Sequence, residues 1–184
     1  MNRIVNESSE IEILGLKFQL KQVEKLKEDI SRGQIPAPEQ VKDVISATVA
    51  LQIENLKKFG EEYLHSTFDQ RRIIESRIYE YSVGLTVDDI NPLIESENTG
   101  HKIAAAMVLE PILYRAKIDP ADMPSVRTFI EKSLKDKNSF LRYECLQLVF
   151  DSNKLKTELR TQLEEMKLKD ENSAIRNIIK LFIK

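Results

Sequence analysis

The sequence predicts an all-α fold of stacked helical hairpins. A nine-residue run at residues 134–142 returns 34 positions later at residues 168–176, with six of its nine positions identical. Self-similarity at a period of a few tens of residues is typical of stacked-repeat proteins. The 184-residue chain has five Gly and six Pro, which is too few for the frequent turns of a β fold. In addition, no segment alternates for long enough to predict a strand.

About nine helices are predicted, the first of them a long N-terminal helix over residues 10–32. Its start is indicated by the capping-box pattern Ser9-x-x-Glu12. The second helix begins at Pro38, because proline favours the first turn of a helix. We expect it to end at Gly60, since glycine is a common helix terminator.

The third helix opens with a second capping box, Thr67-x-x-Gln70, and is closed by Gly84. Further along the chain, Pro111 is expected to kink or split the helix that contains it. The remaining predicted helices cover residues 86–97, 99–116, 120–135, 138–151, 153–167 and 172–184.

An Asp–Arg pattern recurs in the repeated segments. Asp136 precedes Arg142 by six residues, and Asp170 precedes Arg176 by the same spacing. An aliphatic residue stands directly before each Arg. Over residues 86–184 this pattern resembles the HEAT-repeat (armadillo-like) family. Other helical-hairpin solenoids remain alternatives, although the Trp of tetratricopeptide repeats, which share the 34-residue period, is missing.

The resemblance implies a single right-handed α-solenoid domain over residues 1–184. A divergent helical pair would occupy residues 10–60, and the repeats would occupy residues 61–184. It also implies that the turn Asp and the following Arg bond across and between repeats. We therefore expect Arg142 and Arg176 to pair with turn Asp residues instead of binding a partner.

Composition excludes several classes of protein. The longest unbroken apolar run is residues 103–109, far shorter than a membrane span, and residues 1–10 lack the apolar block of a signal peptide. A single Cys suits a reducing compartment, so we expect a cytoplasmic protein. The net charge is −2, with an excess of basic residues in residues 101–184. Such asymmetry can mark an acidic partner, although a solvated surface accounts for so modest an excess.

Residues with catalytic potential are isolated. Cys145 falls on the same repeat position as Ala105 and Ile179, which predicts a buried and inert thiol. His65 and His101 have no second His or Cys at metal-ligand spacing. The sequence contains no Gly-rich phosphate loop. We therefore expect neither an enzyme nor a bound metal or cofactor.

The predicted function is a protein–protein interaction module, or scaffold. By the resemblance, the third, fifth, seventh and ninth predicted helices would line a concave wall that binds a protein or peptide. The alternative is a nucleic-acid-binding or DNA-base-repair protein of HEAT-like fold, which the net charge and the absence of Trp disfavour. The apolar C-terminal end, residues 181–184, could support self-association. The candidate partner-binding residues are Arg71, Glu75, Met107, Tyr114, Tyr143, Gln147, Asn177 and Lys180.

Overall fold

The computed structural model describes residue 32 and residues 37–183, and every regular element within them is helical. The all-α prediction is therefore confirmed for this part of the chain. The chain divides into two compact units, residues 1–52 and residues 53–184. Arg32 apart, the predicted first helix lies outside the described residues.

Nine α-helices and one 3-10 helix occur in the described ranges. They are α1 (Pro38–His65), α2 (Phe68–Tyr81), α3 (Asn91–Ile94), α4 (Thr99–Ala116), the 3-10 helix (Pro120–Asp122), α5 (Pro124–Ser133), α6 (Ser139–Asp151), α7 (Asn153–Glu158), α8 (Arg160–Lys169) and α9 (Ser173–Phe182).

Three of these helices start with the same asparagine cap. The side-chain oxygens of Asn98, Asn138 and Asn172 each accept a hydrogen bond from the backbone N–H two residues ahead, at 2.8, 2.9 and 2.9 Å. This bond satisfies an N–H that has no partner within the helix. The predicted starts of α4, α6 and α9 are thereby explained by one local interaction.

Several predicted boundaries are wrong. Gly60 does not end α1, which continues to His65. Pro111 lies inside α4, which runs unbroken to Ala116. The predicted helix over residues 153–167 is two helices, α7 and α8, separated at Leu159. Tertiary packing overrides the local signal at Gly60, because this residue is buried against the backbone of Gly100.

Within residues 53–184, alternate helices form a row. Helix α2 packs against α4, α4 against α6, and α6 against α9. The intervening helices pair with members of this row: α3 with α4, α5 with α6, and α8 with α9. We refer to α2, α4, α6 and α9 as the alternate row. Its centre is the core of the unit, since all residues from 103 to 109 on α4 are buried.

No helix in residues 37–183 combines the length and the apolar character needed to cross a membrane.

Candidate interaction surface

The Arg142 guanidinium joins the turn before α6 to the turn before α9. Its Nε and Nη2 atoms donate to the two carboxylate oxygens of Asp170 at 2.8 and 2.7 Å. Its Nη1 atom donates to the carbonyl oxygens of Asp136 and Lys137 at 2.8 and 2.9 Å. The side chains of Arg142 and Asp170 are only 10% and 3% exposed. The predicted pairing of Arg142 with a turn Asp is confirmed, and this side chain holds the fold together.

Arg176 behaves differently. Its Nη1 atom donates to the backbone carbonyls of Asp170 and Glu171, within its own turn. No carboxylate of the described residues pairs with it, so the expected Asp partner for Arg176 is not found. The reason is the position of Arg176 in the chain. The Asp that pairs with Arg142 comes from the turn before the next helix of the row, α9. Because α9 is the last helix that the structure describes, no later described turn offers Arg176 an equivalent Asp.

A hydrogen-bonded Ser–His–Glu chain lies at the turn before α4. The Ser96 hydroxyl lies 2.8 Å from Nδ1 of His101, and Nε2 of His101 lies 3.0 Å from Oε1 of Glu61. These are residue types of hydrolase triads. However, Ser96 Oγ also accepts the backbone N–H of Asn98 at 3.1 Å.

That last bond reveals a structural role for Ser96. In the two later turns, Asp136 and Asp170 accept the N–H of Asn138 and Asn172 in the same way, both at 2.8 Å. Ser96 therefore replaces a turn-forming Asp, and its hydroxyl is already used to order the turn. The Ser–His–Glu chain is explained without catalysis.

Cys145 is fully buried, as its repeat position predicts. Burial raises the pKa of its thiol far above the ordinary range, so the reactive thiolate is disfavoured. The thiol contributes to packing between α5 and α6, and the side chain of Ser133 is its hydrogen-bond neighbour.

We expect the Cys145 thiol to be inert in the folded protein. A thiol reagent added to the native protein should label it only at the rate of unfolding, and Cys145→Ala should cost about 1–2 kcal/mol of unfolding free energy. Mass spectrometry of native and denatured samples checks the first expectation. Rapid labelling of the native protein would contradict it.

The predicted partner-binding residues lie on the alternate row with very different exposure. Tyr114 is 86% exposed and Tyr143 is 39% exposed. Asn177 and Lys180 are exposed on α9, whereas Glu75 and Gln147 are half-buried.

Met107 is not available to a partner, because it is only 3% exposed. Its assignment to the exposed surface was wrong. It lies in the middle of α4, which packs against α2, α3 and α6 and has no exposed residue between 103 and 109.

Arg71 is half-buried and already has internal contacts. Its guanidinium carbon lies 3.9 Å from the ring centre of Phe140 and 5.3 Å from that of Tyr63. Its Nε atom donates to the carbonyl oxygen of Tyr63 at 3.1 Å. Stacking of this kind stabilises the fold. Arg71 therefore fixes one end of the row and is a poor candidate for a free contact.

Next to Arg71, three carboxylates converge with tyrosines. The hydroxyl of Tyr63 donates to Glu75 Oε1 at 3.0 Å, and that of Tyr79 donates to Glu110 Oε2 at 3.0 Å. Glu144 is close to both carboxylates. Burial, followed by repulsion from Glu75 and Glu110, raises the pKa of Glu144 to about 8. No group of three or more His, Cys, Asp and Glu side chains in residues 37–183 is arranged to hold a metal ion.

The sequence prediction missed Glu144. A signal was present in the repeat register, where Ala104 and Ile178 occupy the matching positions. An acidic residue at a repeat position that is apolar in the other copies indicates a buried carboxyl group. Its importance depends on Glu75 and Glu110 lying nearby, which only the fold shows.

We expect Glu144→Gln to stabilise the protein more at pH 8 than at pH 5. In the unfolded chain this carboxyl loses its proton near its ordinary pKa of 4.5, but in the folded protein only near 8. Its contribution to stability is therefore complete below pH 4.5 and is lost as the pH rises towards 8. Denaturant titrations of both proteins at several pH values measure the difference, and a pH-independent difference would contradict it.

A pocket of about 800 Å³ opens at the carboxyl-terminal ends of α2, α4 and α6. Its lining includes Tyr79 from α2, Glu110 and Tyr114 from α4, and Leu148 and Asp151 from α6. The pocket thus continues the carboxylate–tyrosine cluster along the row.

In comparisons with protein-family models, curated proteins and solved structures, no match to this chain was found.

Proposed function

We propose that this chain is a HEAT-like α-solenoid that binds a protein partner on its alternate row and catalyses no reaction. The observation that carries the proposal is the ordered contact of α2, α4, α6 and α9. Alternate helices in a solenoid produce one extended surface, which is the usual binding face of such proteins.

Exposed tyrosines along this row support the proposal. Tyr79, Tyr114 and Tyr143 come from three successive row helices, and each is at least 39% exposed. Tyrosine is enriched among the residues that dominate binding energy at protein interfaces. Three such residues on adjacent helices suit a protein segment that lies across the row.

A cluster of carboxylates on the row disfavours the nucleic-acid alternative. Glu75, Glu110 and Glu144 lie together on its first three helices, where burial, followed by repulsion from Glu75 and Glu110, raises the pKa of Glu144. A nucleic-acid groove needs a positive potential to neutralise phosphates. The cluster would repel them. A reduced, buried Cys145 is compatible with the cytoplasmic location that we propose.

A photo-crosslinking residue placed at Tyr143 or Tyr114, in the native host, tests the proposal. We expect each position to yield the same crosslinked partner. Lys132, an exposed residue of α5 outside the row, is the matched control and should give none. Partner capture through Lys132 but not through Tyr114 or Tyr143 would assign binding to the other face. Crosslinks only to a second copy of the chain would instead indicate self-association.

A further inference from the structure

The pocket between the row helices has a built, mostly apolar floor. Leu113 and Leu148 are nearly completely buried beneath it, and Pro111, Ile118 and Pro120 add further apolar surface. The volume of about 800 Å³ is ample for a long side chain and part of the backbone that carries it. An apolar floor of this size favours a ligand with a hydrocarbon stem.

The rim of the same pocket is negatively charged. Three carboxylates, Glu110, Asp119 and Asp151, stand against one ammonium group, Lys117. Asp119 has a second task, because one of its oxygens accepts from Ala121 N and Ser152 Oγ at 2.9 and 2.6 Å. Because three carboxylates stand against one ammonium group, the rim carries an excess of two negative charges. This excess favours a cationic ligand.

Two aromatic rings and the helix ends add to this preference. Tyr79 holds the Glu110 carboxylate in place through its 3.0 Å hydrogen bond, and the exposed ring of Tyr114 stands at the rim. Aromatic faces attract guanidinium and ammonium groups. The pocket also lies at the carboxyl ends of α4 and α6, where the helix dipoles contribute negative partial charge.

We propose that this pocket binds an arginine or lysine side chain of a protein partner, with the methylenes on Leu113 and Leu148 and the cationic group between Glu110 and Asp151. Long basic side chains combine a hydrocarbon stem with a charged end. The stem suits the apolar floor of the pocket, and the charged end suits its negatively charged rim. Arginine is favoured over lysine, because its planar guanidinium pairs with carboxylates and stacks on tyrosine. The proposal rests on the proposed function and specifies which segment of a partner the row would recognise.

Titration of the full chain with a short peptide, followed by backbone amide NMR, tests this proposal. The probe is the acetylated pentapeptide Gly-Ser-Arg-Ser-Gly, compared with the same peptide carrying norleucine in place of arginine. We expect saturable shifts at the amides of Leu113, Tyr114 and Leu148. The norleucine peptide should bind at least tenfold more weakly.

Two variants make the experiment specific. Glu110→Gln combined with Asp151→Asn should weaken binding of the arginine peptide at least tenfold, whereas Asp88→Asn, an exposed acid outside the pocket, should leave it unchanged. Glutamine at 110 retains an acceptor for Tyr79, and helical melts confirm that both variants fold. Equal binding of the two peptides, no saturable shift, or tighter binding of spermidine than of the arginine peptide would overturn the proposal.

The result is separable from that of the crosslinking experiment. A partner captured through Tyr143 with no arginine binding in the pocket would refute only the pocket proposal. Arginine binding without partner capture through the row would refute only the proposed function.

Discussion

Replacement of Arg142 by alanine is expected to lower the free energy of unfolding by about 3–5 kcal/mol, the cost typical of breaking a buried ion pair. The variant leaves the Asp170 carboxylate, 3% exposed, without its two charge-assisted bonds. It also leaves the carbonyls of Asp136 and Lys137 without their donor. Chemical denaturation followed by circular dichroism at 222 nm measures the loss.

The repeat supplies a matched control for this experiment. Arg176 occupies the equivalent position but bonds only to backbone carbonyls of its own turn. Arg176→Ala should therefore cost only about 1 kcal/mol, the net value of an ordinary hydrogen bond. Equal losses for the two variants would show that the carboxylate pair is not what makes Arg142 important.

A double-mutant cycle isolates the ion pair itself. Asp170 Oδ1 accepts a hydrogen bond from the backbone N–H of Asn172 at 2.8 Å. The Asp170→Asn substitution keeps an acceptor for this N–H and removes the negative charge. The combined Arg142→Ala and Asp170→Asn variant should lose less than the sum of the single losses. Additive losses would mean that the two side chains do not depend on each other.

Gly60→Ala is expected to destabilise the protein by about 1–3 kcal/mol, the range typical of overpacking. In an ordinary helix the same change stabilises, by about 1 kcal/mol. The sign reverses here because a Cβ on Gly60 would lie 2.0 Å from the carbonyl oxygen of Gly100 and 3.1 Å from Cβ of Ala104. The contact is with backbone of α4, which cannot move aside as a flexible side chain can. Thermal and denaturant unfolding measure the effect.

Gly84 and Gly100 provide the controls. Gly100→Ala should be destabilising as well, since its Cβ would lie 2.7 Å from backbone atoms of Gly60 and Glu61. Gly84 has a φ of 83° and no atom within 4 Å of an added Cβ. Alanine there should cost only the strain of the left-handed backbone conformation, about 1–2 kcal/mol. Stabilisation by Gly60→Ala would contradict the close approach of α1 and α4.

The sequence predicted those features that depend on short segments. The helix starts predicted at residues 99, 138 and 172 and the capping box at Thr67 depend on contacts within a few residues, so their sequence pattern is sufficient. The bond from Arg142 to Asp170 spans 28 residues. A turn Asp as the partner of Arg142 was expected from the resemblance to HEAT repeats, and the sequence alone did not specify which Asp it would be.

Features that depend on how helices meet were not predictable in the same way. Gly60 carries the signal of a helix end, but the neighbour that accounts for its burial within α1 is Gly100, 40 residues later. Met107 was assigned to the exposed surface because periodicity alone does not show that α4 has neighbours on all sides. The excess of basic residues in 101–184 gave no indication that Glu75, Glu110 and Glu144 would cluster on the row.

The enclosure of α4 has a consequence for hydrogen exchange. Its amides from 103 to 109 belong entirely to buried residues and are shielded by α2, α3 and α6. Such amides exchange with deuterium only when the surrounding unit opens as a whole, so their protection measures its global stability. Helix α9 packs through Ile175 and Ile179 but leaves Leu181 75% exposed. We therefore expect exchange to proceed inward from α9, with α4 as the last segment to acquire deuterium.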